Sequence, residues 1–185
     1  MVKGLLISSL LVACSAKQVA PTKEMNVSFV TVHHSQLFIH MPATYQWSEG
    51  FTHQTVTGRL QGVDMWTLLK QAIEQEMQKK GYMQAPLAAQ ADINISFAAA
   101  LTSTLDDNQI QQKYGLVPGL IVNAADPEHY EKGTLIFDVI NPKTQKLAWR
   151  TAGQALATLA EIPLTERKAR LAIFVKKLLA FLPEK

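Results

Sequence analysis

A single cysteine, five histidines and two adjacent aspartates are the residues in this 185-residue chain whose type and spacing could do chemistry. Cys14 ends the run Leu11-Val12-Ala13-Cys14, which follows a positive start at Met1-Val2-Lys3 and a short apolar segment from Gly4 to Leu11. A basic start, an apolar run, a small residue and then a cysteine is the order of a bacterial lipoprotein signal, cut before the cysteine and acylated on its sulfur. The apolar run is too short to cross a bilayer, which takes about 20 such residues. The chemistry expected at Cys14 is therefore lipid modification. Three acyl chains there would hold the chain far more firmly than one, at about 0.8 kcal/mol per buried methylene. Ser15 follows the cysteine where aspartate would favour the inner membrane, so the expected address is the outer membrane, facing the periplasm.

The histidines, His33, His34, His40, His53 and His129, raise the question of a metal. Adjacent side chains on a strand point to opposite faces, so His33 and His34 cannot share an ion from regular β structure. No second cysteine, helical histidine pair or recognised acidic pattern accompanies them, and no metal site is expected. Asp106 and Asp107 could imitate the carboxylate pair of a glycosidase, but neighbours in a loop lack the fixed separation that chemistry requires, and they read as solvated acids. A nucleophile elbow, a phosphate loop and a dinucleotide fingerprint are all missing, so no cofactor and no enzymatic activity are expected. Trp66 and Trp149 read as core aromatics and Trp47 as core or edge. Lys168, Arg170, Lys176 and Lys177 read as the solvated face of a final helix, with a phospholipid-facing patch as the alternative.

Composition narrows the class further. Removing residues 1–13 leaves 172 residues with 17 basic and 15 acidic side chains, a net of +2, which gives no nucleic-acid footprint. With 48% hydrophobic residues the chain can bury one core without disulfides, as it must when its sole cysteine is lipidated. Residues 14–24 form the lipidated start and a polar tether. Its stretch Ser15–Glu24 reaches at most about 35 Å. Residues 25–185 are expected to form one domain.

The elements that must position these side chains follow from periodicity. Asn26–Val32 and Leu37–Trp47 are rich in β-branched and aromatic residues and read as strands, the second broken by Pro42. Val63–Lys80 carries Trp66, Leu69, Ile73 and Met77 at helical spacing, with Asp64 to cap it and Gly81 to end it. Asp92–Leu101 alternates strictly and reads as a strand. Leu135–Ile140 and Leu147–Ala155 flank Asn141-Pro142-Lys143-Thr144, a hairpin in which one residue of register decides whether Asp138 opposes Arg150 or Trp149. Thr165–Leu182 reads as a closing helix stopped by Pro183. The order implies an α+β fold, one mainly antiparallel β-sheet with two helices packed on one face.

Thr102–Tyr130 shows no regular pattern, which is long for a connection, and such segments often carry function. Its apolar middle supplies the candidate partner-binding residues Leu116, Val117, Leu120, Ile121 and Val122, which either pack down or expose a sticky surface.

Several pieces occur in a familiar order: Thr44-Tyr45-Gln46-Trp47, the helix end Lys80-Gly81-Tyr82, Ala91-Asp92-Ile93-Asn94-Ile95, Lys132-Gly133-Thr134-Leu135-Ile136-Phe137-Asp138, Asn141-Pro142-Lys143-Thr144 and Leu147-Ala148-Trp149-Arg150. Behind the Cys14 signal this order resembles the domain-of-unknown-function 4136 family of bacterial envelope lipoproteins. The resemblance implies a lipid-anchored α+β domain facing the periplasm, with no catalytic residues to carry over. Gly115–Ala125 is aliphatic where that family has a glycine- and aromatic-rich stretch, so no role of that stretch is transferred.

The expected activity is thus contact, not catalysis: an anchored interaction or structural domain, joined to the membrane through Cys14, with an envelope protein as its candidate partner. The alternatives are a binder of a small apolar ligand or lipid, which needs a cavity of about 300 Å³ or more, and a cell-wall-acting enzyme, which needs convergent polar groups in a cleft.

Overall fold

The structure is a computed structural model that describes residues 26–34, 39–48, 64–86, 90–102, 105–121 and 128–182. Cys14, the tether, His53 and Val122 lie outside the described residues. Six strands, β1 (Val27–His33), β2 (Ala43–Trp47), β3 (Tyr82–Gln84), β4 (Ile93–Leu101), β5 (Tyr130–Ile140) and β6 (Leu147–Thr158), form one sheet in the order β1-β6-β5-β4-β2-β3. Three helices accompany them: α1 (Met65–Lys79), α2 (Asp107–Tyr114) and α3 (Leu164–Leu178).

The single sheet is mainly antiparallel, as expected, and two details depart from the sequence reading. The sheet is mixed, because β2 runs parallel to both β3 and β4 while the other pairs are antiparallel. The parallel pairs follow from α1, which carries the chain back between β2 and β3 so that both run the same way. Among the described residues the helices number three, where two were expected, and the additional one, α2, breaks the stretch expected to be irregular from 102 to 130. At eight residues, with only Ile110 buried, α2 is too short and too polar to show a helical stripe.

Helix α1 forms as its sequence dictates. Asp64 accepts a hydrogen bond from the Thr67 amide at 3.1 Å, and Gly81, at φ 91°, takes the left-handed turn that ends it. Its stripe buries Leu69, Ile73 and Met77. Helix α3 begins at Leu164, after Pro163, which supplies no side-chain cap, and ends at Leu178, four residues before the expected end at Leu182. Leu179 and Leu182 stay buried in the turn that follows, and the buried Lys80 ammonium donates to the Leu182 carbonyl at 3.2 Å. The second strand is also shorter than expected: it begins at Ala43, directly after Pro42, which has no N–H to give a ladder.

Strand parity divides the core. Odd-numbered residues of β4, β5 and β6, among them Phe97, Phe137 and Trp149, face α1 and α3 in the main cluster. Even-numbered Ile136 and Ala152 face the other way, toward Ile110 and Leu116. Trp66 stacks on Phe97 with centroids 4.0 Å apart, and Trp47 meets Phe97 edge to face at 5.9 Å, so both tryptophans serve the main core. Gly153 sits where Phe29 and Phe174 converge, and a Cβ there would stand 2.6 Å and 2.8 Å from their rings.

Candidate functional site

The apolar segment singled out in the sequence lies against the second face of the sheet. Leu116 is 6% exposed, Val117 and Leu120 are half-buried, and Ile121 is 82% exposed. Packing, not a bare sticky surface, describes the stretch up to Leu120. Its entry is set by α2, where Asp106 accepts from the Gln109 amide at 2.9 Å while the Gln109 side chain accepts from the Asp106 amide at 2.8 Å. Gly115, at φ 76°, ends the helix in the left-handed region.

Polar side chains of β5 and β6 then fasten the segment. Gln154, fully buried, donates to Asp107 Oδ1 at 2.7 Å and Thr134 Oγ1 at 3.1 Å, and accepts from the Leu120 amide at 2.9 Å. Lys132 pairs with Asp107 at 2.6 Å. Arg150 forks onto Asp138, with Nε to Oδ1 and Nη2 to Oδ2 both at 2.6 Å, and its Nη1 donates to the Tyr114 carbonyl at the end of α2 at 2.7 Å. The fork answers the open question of register: Asp138 stands opposite Arg150, and a bulge between Val139 and Ile140 absorbs the odd residue. The Asp138 carboxylate raises the Arg150 pKa above its ordinary value, against the opposing effect of burial. Burial, with Asp138 nearby, raises that of Tyr114.

Asp106 and Asp107 are accessible to solvent as expected, but they are engaged at the start of α2 and are not free loop acids. One caps α2, and the other joins Lys132 and Gln154. His33, His34, His40 and His129 are exposed, and among the described residues no group of three or more histidine, cysteine, aspartate or glutamate side chains could hold a metal ion.

Next to this face lies the outer side of β1, which no strand among the described residues pairs with. The His34 amide donates to the Ala148 carbonyl at 2.9 Å, so even-numbered residues of β1 hydrogen-bond to β6, while the amides and carbonyls of Val27, Phe29, Thr31 and His33 point away from it. The strand, Val-Ser-Phe-Val-Thr-Val-His, carries no proline, aspartate, glutamate, lysine or arginine. Charges and prolines are the usual guards of an edge.

A cavity of about 140 Å³ opens between α1, α3 and the far ends of β4, β5 and β6. Its walls are largely apolar, formed by Leu69, Leu101, Gly133, Ala157, Leu171 and Phe174, with Arg167 also lining it. A second, open groove of about 420 Å³ runs between α1 and β3 and is edged by glutamines 71, 75, 78 and 84. Burial pushes the phenols of Tyr45 and Tyr82 beside it up to about 12, with Glu74 adding to the effect on Tyr45.

Gln154 and Arg167 escaped the sequence reading. Gln154 is one polar residue in an apolar strand. Arg167 did leave a signal, since it falls in register with the apolar stripe of Leu171, Phe174 and Leu178.

The family model described as "Domain of unknown function (DUF4136)" matches residues 41–184. Among curated protein sequences none matches. The fold is similar to that of the PelC dodecamer from Paraburkholderia phytofirmans, with a TM-score of 0.50, 9% identity, and coverage of 86% of this chain and 99% of that one. A DUF4136 family protein from Bacteroides thetaiotaomicron VPI-5482 matches with a TM-score of 0.47 and 13% identity, covering 84% of this chain and 95% of its own.

Proposed function

The chain belongs to the DUF4136 family, and on that premise we propose that it is a lipid-anchored outer-membrane lipoprotein whose domain faces the periplasm and works by strand-to-strand contact, without enzymatic activity. The anchor reading rests on the Cys14 signal. The contact reading rests on one observation, the unguarded edge of β1. Outward-facing backbone on an uncharged strand is a template for one more strand.

The occupant proposed is a second copy of this chain. Placed antiparallel about Val30, two β1 strands pair Val27 with His33 and Phe29 with Thr31 through their outward amides and carbonyls. Both faces keep their sides, and no lysine, arginine or carboxylate meets another in the strand. PelC, which shares the fold, is a dodecamer. Self-association of this chain rests on its own edge.

A carrier that encloses a whole lipid is not favoured, because the apolar cavity of about 140 Å³ is smaller than the roughly 300–1,000 Å³ of pockets that bury a large ligand. A glycosidase is not favoured either, because the acidic pair is engaged by the α2 cap, Lys132 and Gln154.

The test places a photo-crosslinking residue at exposed His33 in the full chain, expressed in a Gram-negative envelope. A crosslinked dimer is expected, lost in Thr31→Pro, which removes one outward amide and leaves the ladder to β6. Intact mass is expected to show a chain beginning at acylated Cys14, and Cys14→Ser is expected to lower crosslinking by releasing the chain from the membrane. Crosslinking absent from the wild-type chain, or untouched by the proline, would overturn the contact reading. A polypeptide still beginning at Met1 would overturn the anchor.

A further inference from the structure

Three arginines among the described residues carry the same Nε–Nη2 edge, and two of the three are filled. Arg150 holds Asp138 with both nitrogens at 2.6 Å, and Arg170 holds Glu166 Oε1 at 3.1 Å and 2.6 Å. Arg167 is the exception. It is 8% exposed, its Nε is buried with no hydrogen-bond partner, and its Nη2 reaches only the Ala160 carbonyl at 3.4 Å. Among the described residues no carboxylate comes within 4.0 Å of it. A buried guanidinium without a counter-charge is costly.

Its surroundings say what kind of anion would fit. Arg167 lines the apolar cavity of about 140 Å³, close to the size of a cavity known to accept benzene. Gly133 and Ala157 give that cavity its room on the sheet side, and Leu171 and Phe174 close it from α3. Arg167 also lies in the first turns of the fifteen-residue α3, where the helix dipole favours negative charge.

We propose that this cavity binds a small amphiphilic carboxylate, its oxygens taken by the Arg167 guanidinium, which turns its enclosed Nε toward the cavity to meet them, and its apolar part, about six carbons in size, between Leu101, Leu171 and Phe174. A carboxylate is the anion that matches the planar edge, as Asp138 does on Arg150. The source is either a free short-chain acid or a longer fatty acid whose remaining chain extends through the opening. The site does not depend on pairing through β1.

The experiment uses the full chain in nanodiscs of zwitterionic lipid, titrated calorimetrically with hexanoate, hexanol and acetate against empty nanodiscs, and separately with discs containing dodecanoate. Saturable one-site binding of hexanoate is expected, with hexanol and acetate each weaker by roughly 10-fold or more, since each lacks one half of the recognition. Arg167→Met should weaken hexanoate by roughly 10- to 100-fold, the value of charge-assisted hydrogen bonds. Ala157→Leu, which fills the cavity and keeps the arginine, should abolish binding even if Arg167→Met fails to fold. Arginine-dependent binding of hexanoate identifies a free acid as a sufficient ligand, and arginine-dependent binding of dodecanoate alone identifies a membrane fatty acid. Either supports the proposal. Equal binding of hexanoate and hexanol, binding unchanged in Ala157→Leu, or no binding of either acid would overturn it.

Discussion

Replacing Arg150 with methionine tests whether the second face of the sheet is held by charge. Asp138 and Arg150 are each 15% exposed at the side chain, so the substitution leaves a largely desolvated carboxylate without its fork. Removing one partner of a buried pair costs about 3–5 kcal/mol, and the residual exposure puts this one near the low end, about 3 kcal/mol. The Tyr114 carbonyl at the end of α2 loses its donor as well, worth about 1 kcal/mol. The double variant Asp138→Leu/Arg150→Met removes the orphaned charge and should recover most of the loss, leaving about the 1 kcal/mol owed to α2. Urea denaturation of the full chain in detergent, followed by tryptophan fluorescence, reads both numbers, and hydrogen exchange locates the damage. Amides of residues 105–121 should lose protection in both variants while those of β4 keep theirs. A single variant that costs less than about 1 kcal/mol, or a double variant as unstable as the single, would refute the argument from the desolvated pair.

Gly153→Ala should cost about 1–3 kcal/mol in a denaturant midpoint, because its Cβ would press on Phe29 and Phe174. The penalty should shrink in a Phe29→Ala background, and an unchanged cost there would count against the steric account. Tyr82→Phe should stabilise by about 1 kcal/mol, since the Tyr82 hydroxyl is buried without a hydrogen-bond partner. The raised phenols predict an alkaline limb. Folding holds the protonated form, so this stabilisation is complete below pH 10 and lost as the pH climbs from 10 toward about 12, and Tyr82→Phe should make that limb shallower. At the acid end, hydrogen bonds from the Thr44 amide and hydroxyl, both at 2.7 Å, hold the Asp92 carboxyl below the usual carboxylate range. That stabilisation is present above pH 4 and lost as the pH falls below the ordinary value of 3.8, so Asp92→Asn should flatten the acid limb of a melting-temperature profile.

Where periodicity was long, the fold was legible. The alternation of Ile93 to Leu101 appears as a strand buried at every second residue, and the Leu69–Ile73–Met77 stripe appears as α1 with Asp64 at its cap. Short or borrowed features were not legible. Helix α2 and three-residue β3 lack enough turns or repeats to stand out, and the parallel pairs depend on where α1 returns the chain. The candidate segment carried an apolar signal, and it marked packing: Leu116 turns inward because Gln154, Lys132 and Arg150 fasten the chain on either side of it. Those three belong to strands distant in sequence, and no local pattern announces such a clasp. Arg167 shows the opposite case, a charge written in plain view on an apolar stripe that the reading of the final helix left out.

The sheet wears two unlike coats, a large one of rings and aliphatic chains under α1 and α3, and under α2 a smaller apolar one bound down by ionic stitching. Chilling weakens the apolar hold of both coats and most of all the larger one, whereas added salt loosens only the stitches of the second. The solvent therefore chooses which coat slips first, and the strands between them report on both.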